Sequence, residues 1–353
     1  MKAQEKQQNK LQRGKDLFMA YETEDQTQYC FPAINSSCIK RRHSRYEYDF
    51  MYLFFSVLSA CTVFLNLLVI ISISHFKKLH TPTNLLILSL AVADLLIGLI
   101  VVPIEAIRLI ETCWYFGDTY CGLFQITLAL LLSTSLSTLT FIAADRYMAV
   151  CHPLLYPQKI TTTKTIMIIC LCWFCSSVYN TALVSTNRGF NIINRTDKCY
   201  GKCTIMINFI WRVIDMLLSF LLPCTLIITL YLRIFYVAYK QVKIINSQLK
   251  GGKCIKEGSV RRKSESKATL TLGIIVTVYL LCYIPYFILS PSENTEMAST
   301  STTLLWLVYV NSGLNPLIYA LFYPWFKMSV KHILTLKIFQ PASSLVDVFT
   351  VYH

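Results

Sequence analysis

Apolar and polar positions alternate coarsely along the 353 residues: seven long apolar runs are separated by shorter polar stretches. The runs lie near 51–74, 83–110, 122–150, 165–186, 206–239, 267–290 and 303–323. Each reaches the roughly 20 residues that a helix needs to cross a bilayer. Several are longer and must tilt or extend beyond the membrane. The pattern predicts an all-α membrane protein, a seven-transmembrane-helix bundle. After the last run, YPWFKMSVKHILTLKIF alternates aromatic and basic positions at helical spacing, which predicts a short amphipathic helix on the inner surface. No Cys follows that helix, so no palmitoyl anchor is expected there. Residues 1–50 and the tail after Gln340 show no periodicity and are expected to lack fixed structure.

Composition agrees with this reading. The chain is 54% hydrophobic and 15% charged, a balance foreign to soluble domains. A formal charge of +14 would point to nucleic acid in a soluble protein. Here the cations flank apolar runs, so they orient the chain and no nucleic-acid partner is expected. Lys and Arg crowd the connections after runs one, three and five, including KGGKCIKEGSVRRKS. The other connections hold Glu111 and Asp118, then a mixed loop, then Glu293 and Glu296. By the positive-inside rule the first set is cytoplasmic and the N-terminus is outside. The expected organisation is an extracellular segment 1–50, a membrane domain 51–323, and a cytoplasmic helix and tail 324–353. The first fifty residues hold no apolar core, so no secretory signal peptide is expected. Sequons at Asn35 and Asn194 fall on the outer side and can carry glycans.

Fourteen Cys divide by place. Eight lie in runs or on basic flanks and read as free thiols. The other six (Cys30, Cys38, Cys113, Cys121, Cys199 and Cys203) share the outer segments, where disulfides form. Six cysteines allow fifteen pairings, which spacing does not resolve.

The motifs narrow the class. LNLLV (65–69), LAVAD (90–94), DRY (145–147), Trp173, Pro223, CYIP (282–285) and NPLIY (315–319) occur in order, one set per run. The chain from about 50 to 337 resembles the rhodopsin-like G-protein-coupled receptors. HTPTN (80–84), CWYFGD (113–118) and above all NSGLNPLIYALFYPWF (311–326) resemble the trace amine-associated receptors. That resemblance implies a plasma-membrane receptor for a small amine or diamine, signalling to a heterotrimeric, stimulatory G protein. In fishes the family is large and mostly olfactory, which implies a place in sensory-neuron cilia. No cofactor is implied beyond an allosteric sodium ion.

The same resemblance assigns roles. Asp145, Arg146 and Tyr147 form the inner switch, with Glu265 of run six holding Arg146 at rest; the bland alternative is a solvated Glu265. Tyr231 and Tyr319 resemble the pair that turns inward in the open state, beside Asn315 and Pro316. Asp94, Ser135, Asn311 and Ser312 match a sodium site; a water-bridged polar cluster is the competing reading. Oxygen ligands from three helices suit a hard cation. The disulfides implied are Cys121–Cys203, Cys30–Cys199 and Cys38–Cys113.

One departure defines the candidate ligand site. Aminergic receptors hold ammonium with an Asp eighteen residues before the Arg of DRY, five helical turns away. Here that position is Leu128, and no acid lies nearer upstream than Asp118. The compensating carboxylate is Asp215 in run five, with Ser219 one turn on. A charge in mid-membrane costs about 2.5–3.5 kcal/mol on insertion scales, so it has a partner or a purpose. Tyr283, Tyr286 and Phe287, with Trp306 and Tyr309, sit at spacings that can wall one cavity and attract alkylammonium by cation–π contact. The plain alternatives are aromatic packing and an Asp215–Arg212 ion pair, which would leave a receptor for a non-amine ligand. Glu105 either pairs with Arg108 at i+3, the favoured reading, or takes a second ammonium. Tyr283 stands where the family usually has Trp.

Other classes are disfavoured. No Lys in 303–323 serves a retinal Schiff base, and no internal repeat points to a transporter. No nucleophile–base constellation or HExxH points to an enzyme.

Overall fold

The computed structural model describes residues 28–41, 43–193, 199–203, 208–249, 273–287, 295–346 and 348. Six described helices are long and apolar enough to cross a membrane, and a shorter apolar one, Gly273–Phe287, follows the fifth. Span one is Arg45–His75 and span two runs from Pro82 to Ile110. Span three is Gly117–Cys151 and span four Thr162–Ile193. Span five runs from Phe209 to Leu249, span six is the Gly273–Phe287 helix, and span seven is Thr295–Phe322. The amphipathic helix is Pro324–Leu334. The end of the bundle bearing the N-terminal segment is termed upper, the other lower.

Local chemistry sets the helix ends. Ser44 and Glu47 form a reciprocal capping box at span one. Thr81 caps span two, with Pro82 at its first position, where a missing N–H costs nothing. Spans two and five each contain a π-turn, Ile97–Val101 and Met216–Leu221. Pro103 and Pro223 follow those turns; each lacks an N–H and crowds the carbonyl four residues back, so the helix widens ahead of the ring.

Span three is central, packing against spans two, four and five. Close approach of spans one and two depends on Gly98: a Cβ there would lie 2.9 Å from Thr62 Cγ2. Lipid offers apolar contacts too, so interhelical hydrogen bonds and close packing hold such a bundle. Asn66 Nδ2 donates to Ser312 O at 3.1 Å, Trp173 Nε1 to Ser89 Oγ at 3.0 Å, and Asn180 Nδ2 to Ser133 Oγ at 3.0 Å.

Both terminal segments differ from expectation. Residues 28–41 and 43–44 are folded, and span one begins at Arg45, six residues before the expected boundary. Tyr29 and Ile39 form an antiparallel bridge, and Ser37 pairs in parallel with Tyr200 of the loop before span five. Hydrogen bonds Cys38 N to Tyr200 O (2.9 Å) and Tyr200 N to Ser36 O (2.7 Å) fix that register. The register corrects two expected disulfides. It sets Cys38 beside Cys199, and the bonds found are Cys38–Cys199 and Cys30–Cys113. The Cys30–Cys199 and Cys38–Cys113 pairing is therefore wrong. Cys121–Cys203 is present. Gly201, at φ +100°, lets the loop pass Cys30 and Phe31, which a side chain would meet at 3.0–3.1 Å. At the lower end residues 341–346 of the tail are also folded: turn Ser343–Leu345 packs on turn Lys77–Leu79, and Val348 is buried.

Candidate functional site

Asp215 ends the first helical stretch of span five, directly before the π-turn. Its Oδ1 accepts from Ser219 Oγ at 2.7 Å and from Tyr179 Oη of span four at 3.0 Å. The carboxylate lines a cavity of about 170 Å³ between spans three, four, five and six. Leu128, Leu132, Tyr279, Tyr283, Tyr286 and Phe287 supply the apolar and aromatic walls; Gln125, Ser133 and Asn180 add neutral polar groups. Tyr279 and Tyr283 stack at 3.8 Å between ring centroids, and Phe287 stacks on Phe220 at 4.1 Å. The ion pairs within 4 Å among the described residues are Lys40–Glu111, His43–Glu47, Glu105–Arg108 and Asp145–Arg146. An Arg212–Asp215 pair is not one of them.

Of the expected ligand residues, the fold brings Asp215, Ser219, Leu128, Tyr283, Tyr286 and Phe287 to this cavity. It does not bring Trp306, Tyr309 or Glu105 to its lining. Trp306 packs on Phe54 and Phe55 of span one, at 5.7 and 5.0 Å. Tyr309 is fully buried. Glu105 is fully buried and takes Arg108, which also donates to Cys203 O at 3.4 Å. Those two charges tie span two to the disulfide-bound loop. Tyr179, Asn180 and Tyr279 were missed by sequence reasoning. A legible signal existed for Asn180 alone: a polar amide within an apolar run.

At the lower end Asp145 gathers three groups. Thr83 Oγ1 donates to Oδ2 at 2.7 Å, Tyr156 Oη donates to Oδ1 at 2.8 Å, and Arg146 Nε donates to Oδ2 at 2.9 Å. Arg146 also donates to Thr83 Oγ1. The Tyr156 phenol lies in the short helix after span three; burial and the Asp145 carboxylate push it up to about 12, so it remains a donor. Tyr231 and Tyr319 are buried nearby in spans five and seven, and Tyr147 rests edge-on against His152 at 5.6 Å. Glu265 lies outside the described residues, as does Asn194; Asn35 is exposed on the N-terminal segment.

Mid-bundle, Asp94, Ser135, Asn311, Ser312 and Asn315 are all at least 98% buried. Asn315 Nδ2 donates to Asp94 Oδ2 at 2.8 Å. Among the described residues Ser135 Oγ and Asn311 Oδ1 find no partner, while Ser312 lies within hydrogen-bonding reach of Asp94; a carboxylate and neutral oxygens of this kind suit a hard monovalent cation.

The comparisons agree with this arrangement. The family model described as 7 transmembrane receptor (rhodopsin family) matches residues 65–319. Trace amine-associated receptor 13c of Danio rerio is 43% identical over 336 residues, 93% of this chain and 98% of the relative. Trace amine-associated receptor 4 of Mus musculus is 38% identical, with 90% and 94% covered, and trace amine-associated receptor 1 of Macaca mulatta 37%, with 91% and 98% covered. A bundle whose motifs, span order and relatives converge in this way is a receptor and not an enzyme: the chain belongs to the rhodopsin family of seven-transmembrane receptors and, within it, to the trace amine-associated receptors.

Proposed function

We propose that this receptor detects small amines and holds the ligand ammonium at Asp215. The relatives' names point to trace amines. The observation that carries the reading is that, among the described residues, Asp215 is the lone carboxylate of an otherwise neutral, aromatic cavity that Leu128 of span three also lines. An ammonium there removes the cost of the solitary charge and meets aromatic faces. In this reading the upper end is extracellular, by the basic lower connections, and the protein resides in the plasma membrane, with an olfactory role.

Signalling follows from the lower end. Agonist favours a state in which Arg146 leaves Asp145, span six moves outward and a stimulatory G protein docks; Tyr231 and Tyr319 turn inward to support it. A full shift from 1:99 to 99:1 needs about 5.5 kcal/mol of differential affinity. Glu265 holds Arg146 at rest, and a sodium ion at Asp94 favours the resting state.

Asp215→Ala is the decisive variant. Removing one member of a desolvated charge pair costs about 2–5 kcal/mol, so the amine EC50 rises at least about thirtyfold. Second-messenger dose–response curves, with surface expression measured alongside, read this out. An unshifted curve at normal expression defeats the assignment.

A further inference from the structure

We infer that the hydroxyls of Tyr179 and Ser219 make the Asp215 site selective for a primary ammonium on a bare hydrocarbon body, against guanidinium groups and diamines. The inference rests on Asp215 being the ammonium anchor. Each carboxylate oxygen has two lone-pair sites. Oδ1 already accepts two hydrogen bonds, from Ser219 at 2.7 Å and Tyr179 at 3.0 Å. The donors come from two different helices, spans five and four, so the carboxylate is braced from both sides. Only Oδ2 remains for a ligand.

A guanidinium recognises a carboxylate with two parallel N–H···O bonds, one to each oxygen. With Oδ1 committed, that fork finds one acceptor and leaves desolvated donors unpaired. An ammonium is a compact point charge and is served by one oxygen. The cavity decides the second point. Among the described residues Asp215 is the sole carboxylate in its lining, and the volume is about 170 Å³. Glu105, a fully buried carboxylate of the upper half, is already matched by Arg108 and does not line it. A second ammonium would therefore lose water without gaining a counter-charge. Tyr179 is a positioning residue here: it acts through Asp215.

The test compares three probes of equal chain length on the full receptor in cells: pentylamine, pentylguanidine and the terminal diaminopentane. Wild type is expected to answer pentylamine at least about tenfold more potently than either other probe. Tyr179→Phe deletes one donor, and Tyr179→Phe with Ser219→Ala frees Oδ1 completely. The double variant is expected to improve pentylguanidine relative to pentylamine at least about tenfold, and the single variant about threefold. Ser219→Thr keeps a hydroxyl and is expected to keep the wild-type ratio.

The inference is overturned by a wild type that answers pentylguanidine or the diamine as well as the amine, or that answers none of the three at millimolar concentration. It is also overturned if the guanidine-to-amine ratio does not move in Tyr179→Phe or double-variant receptors present at the surface. Failure of the anchor itself is distinct: Asp215→Ala would then leave pentylamine potency unchanged. Loss of response in Asp215→Ala with an unmoved ratio in the hydroxyl variants sinks only this inference.

Discussion

The two ends of the bundle are held by different chemistry. At the upper end three disulfides join the N-terminal segment, the loop after span two, the top of span three and the loop before span five. At the lower end the links are reversible: hydroxyls and one guanidinium around Asp145, and a tail seated by a serine. A covalent roof keeps the ligand cavity's walls in place while the lower end stays free to change partners. Breaking the roof therefore has the largest effect. Cys121→Ser removes a bond that closes a loop of some 80 residues, and loss of a native disulfide costs about 2–5 kcal/mol. The variant is expected to lose both surface display and amine response. Near-normal binding at the surface would show that the roof is ornamental.

The lower end invites the opposite experiment. Asp145→Asn removes the charge that holds Arg146 while leaving its shape. Couplings of about 1–3 kcal/mol shift a two-state population 5- to 150-fold. Ligand-independent second-messenger output is expected to rise within that range, with amine potency following it upward. Tyr156→Phe, which removes one donor at 2.8 Å, is expected to give a smaller rise in the same direction. Unchanged basal output in both variants would mean that the network is scaffolding and not a brake.

This contrast was only half legible in the sequence. Apolar run length located the spans, because a bilayer demands about 20 apolar residues of any helix that crosses it, but not every end: span five runs on to Leu249 and span seven starts at Thr295. Asp215 stood out for the same reason: a charge in such a run is conspicuous. Tyr179 did not, since an aromatic ring in an apolar run reads as packing until its hydroxyl is seen 3.0 Å from Asp215. Trp306 and Tyr309 misled in the opposite sense. Helical spacing put them on one face, but that face meets Phe54 and Phe55 in the case of Trp306 and not the cavity. The disulfide exchange was illegible because pairing depends on the Ser36–Tyr200 register, a contact across 164 residues. Spacing along one chain carries no information about such a register.

Ionic contacts at the upper end give a milder prediction. Glu111 accepts from Lys40, Tyr48 and Tyr52. Burial works against its charge, but those hydrogen bonds outweigh it and hold the carboxyl below its ordinary value of 4.5. The hydrogen bond from Lys40 to Glu111 raises the amine above 10.5, against burial. For Glu111 the stabilisation is complete above 4.5 and fades as pH falls below it; for Lys40 it is complete below 10.5 and fades above. Thermal unfolding of purified receptor is expected to be indifferent to this pair from pH 5 to 10 and to weaken on both sides. Glu111→Gln should flatten the acid limb. A loss of stability near neutrality that Glu111→Gln abolishes would contradict the assignment.

The smallest effect belongs to the tail. Ser343 Oγ donates to Ile338 O at 2.6 Å, so its one proton is spent and His75 Nε2, 3.0 Å away, must donate to it. Against this stand Leu336 and Ala342, non-glycine residues at φ 56° and 60°, a conformation that costs about 1–2 kcal/mol each. Burial of Val348 offsets part of that cost. The seat is therefore shallow, and losing a hydrogen bond worth about 0.5–1.5 kcal/mol matters locally. Ser343→Ala is expected to raise amide exchange in residues 337–346 several-fold while leaving amine potency unchanged. Ala342→Gly relieves one strained position and should slow that exchange. A potency change in either variant would couple the tail to the cavity and erase the division between a fixed upper end and a releasable lower one.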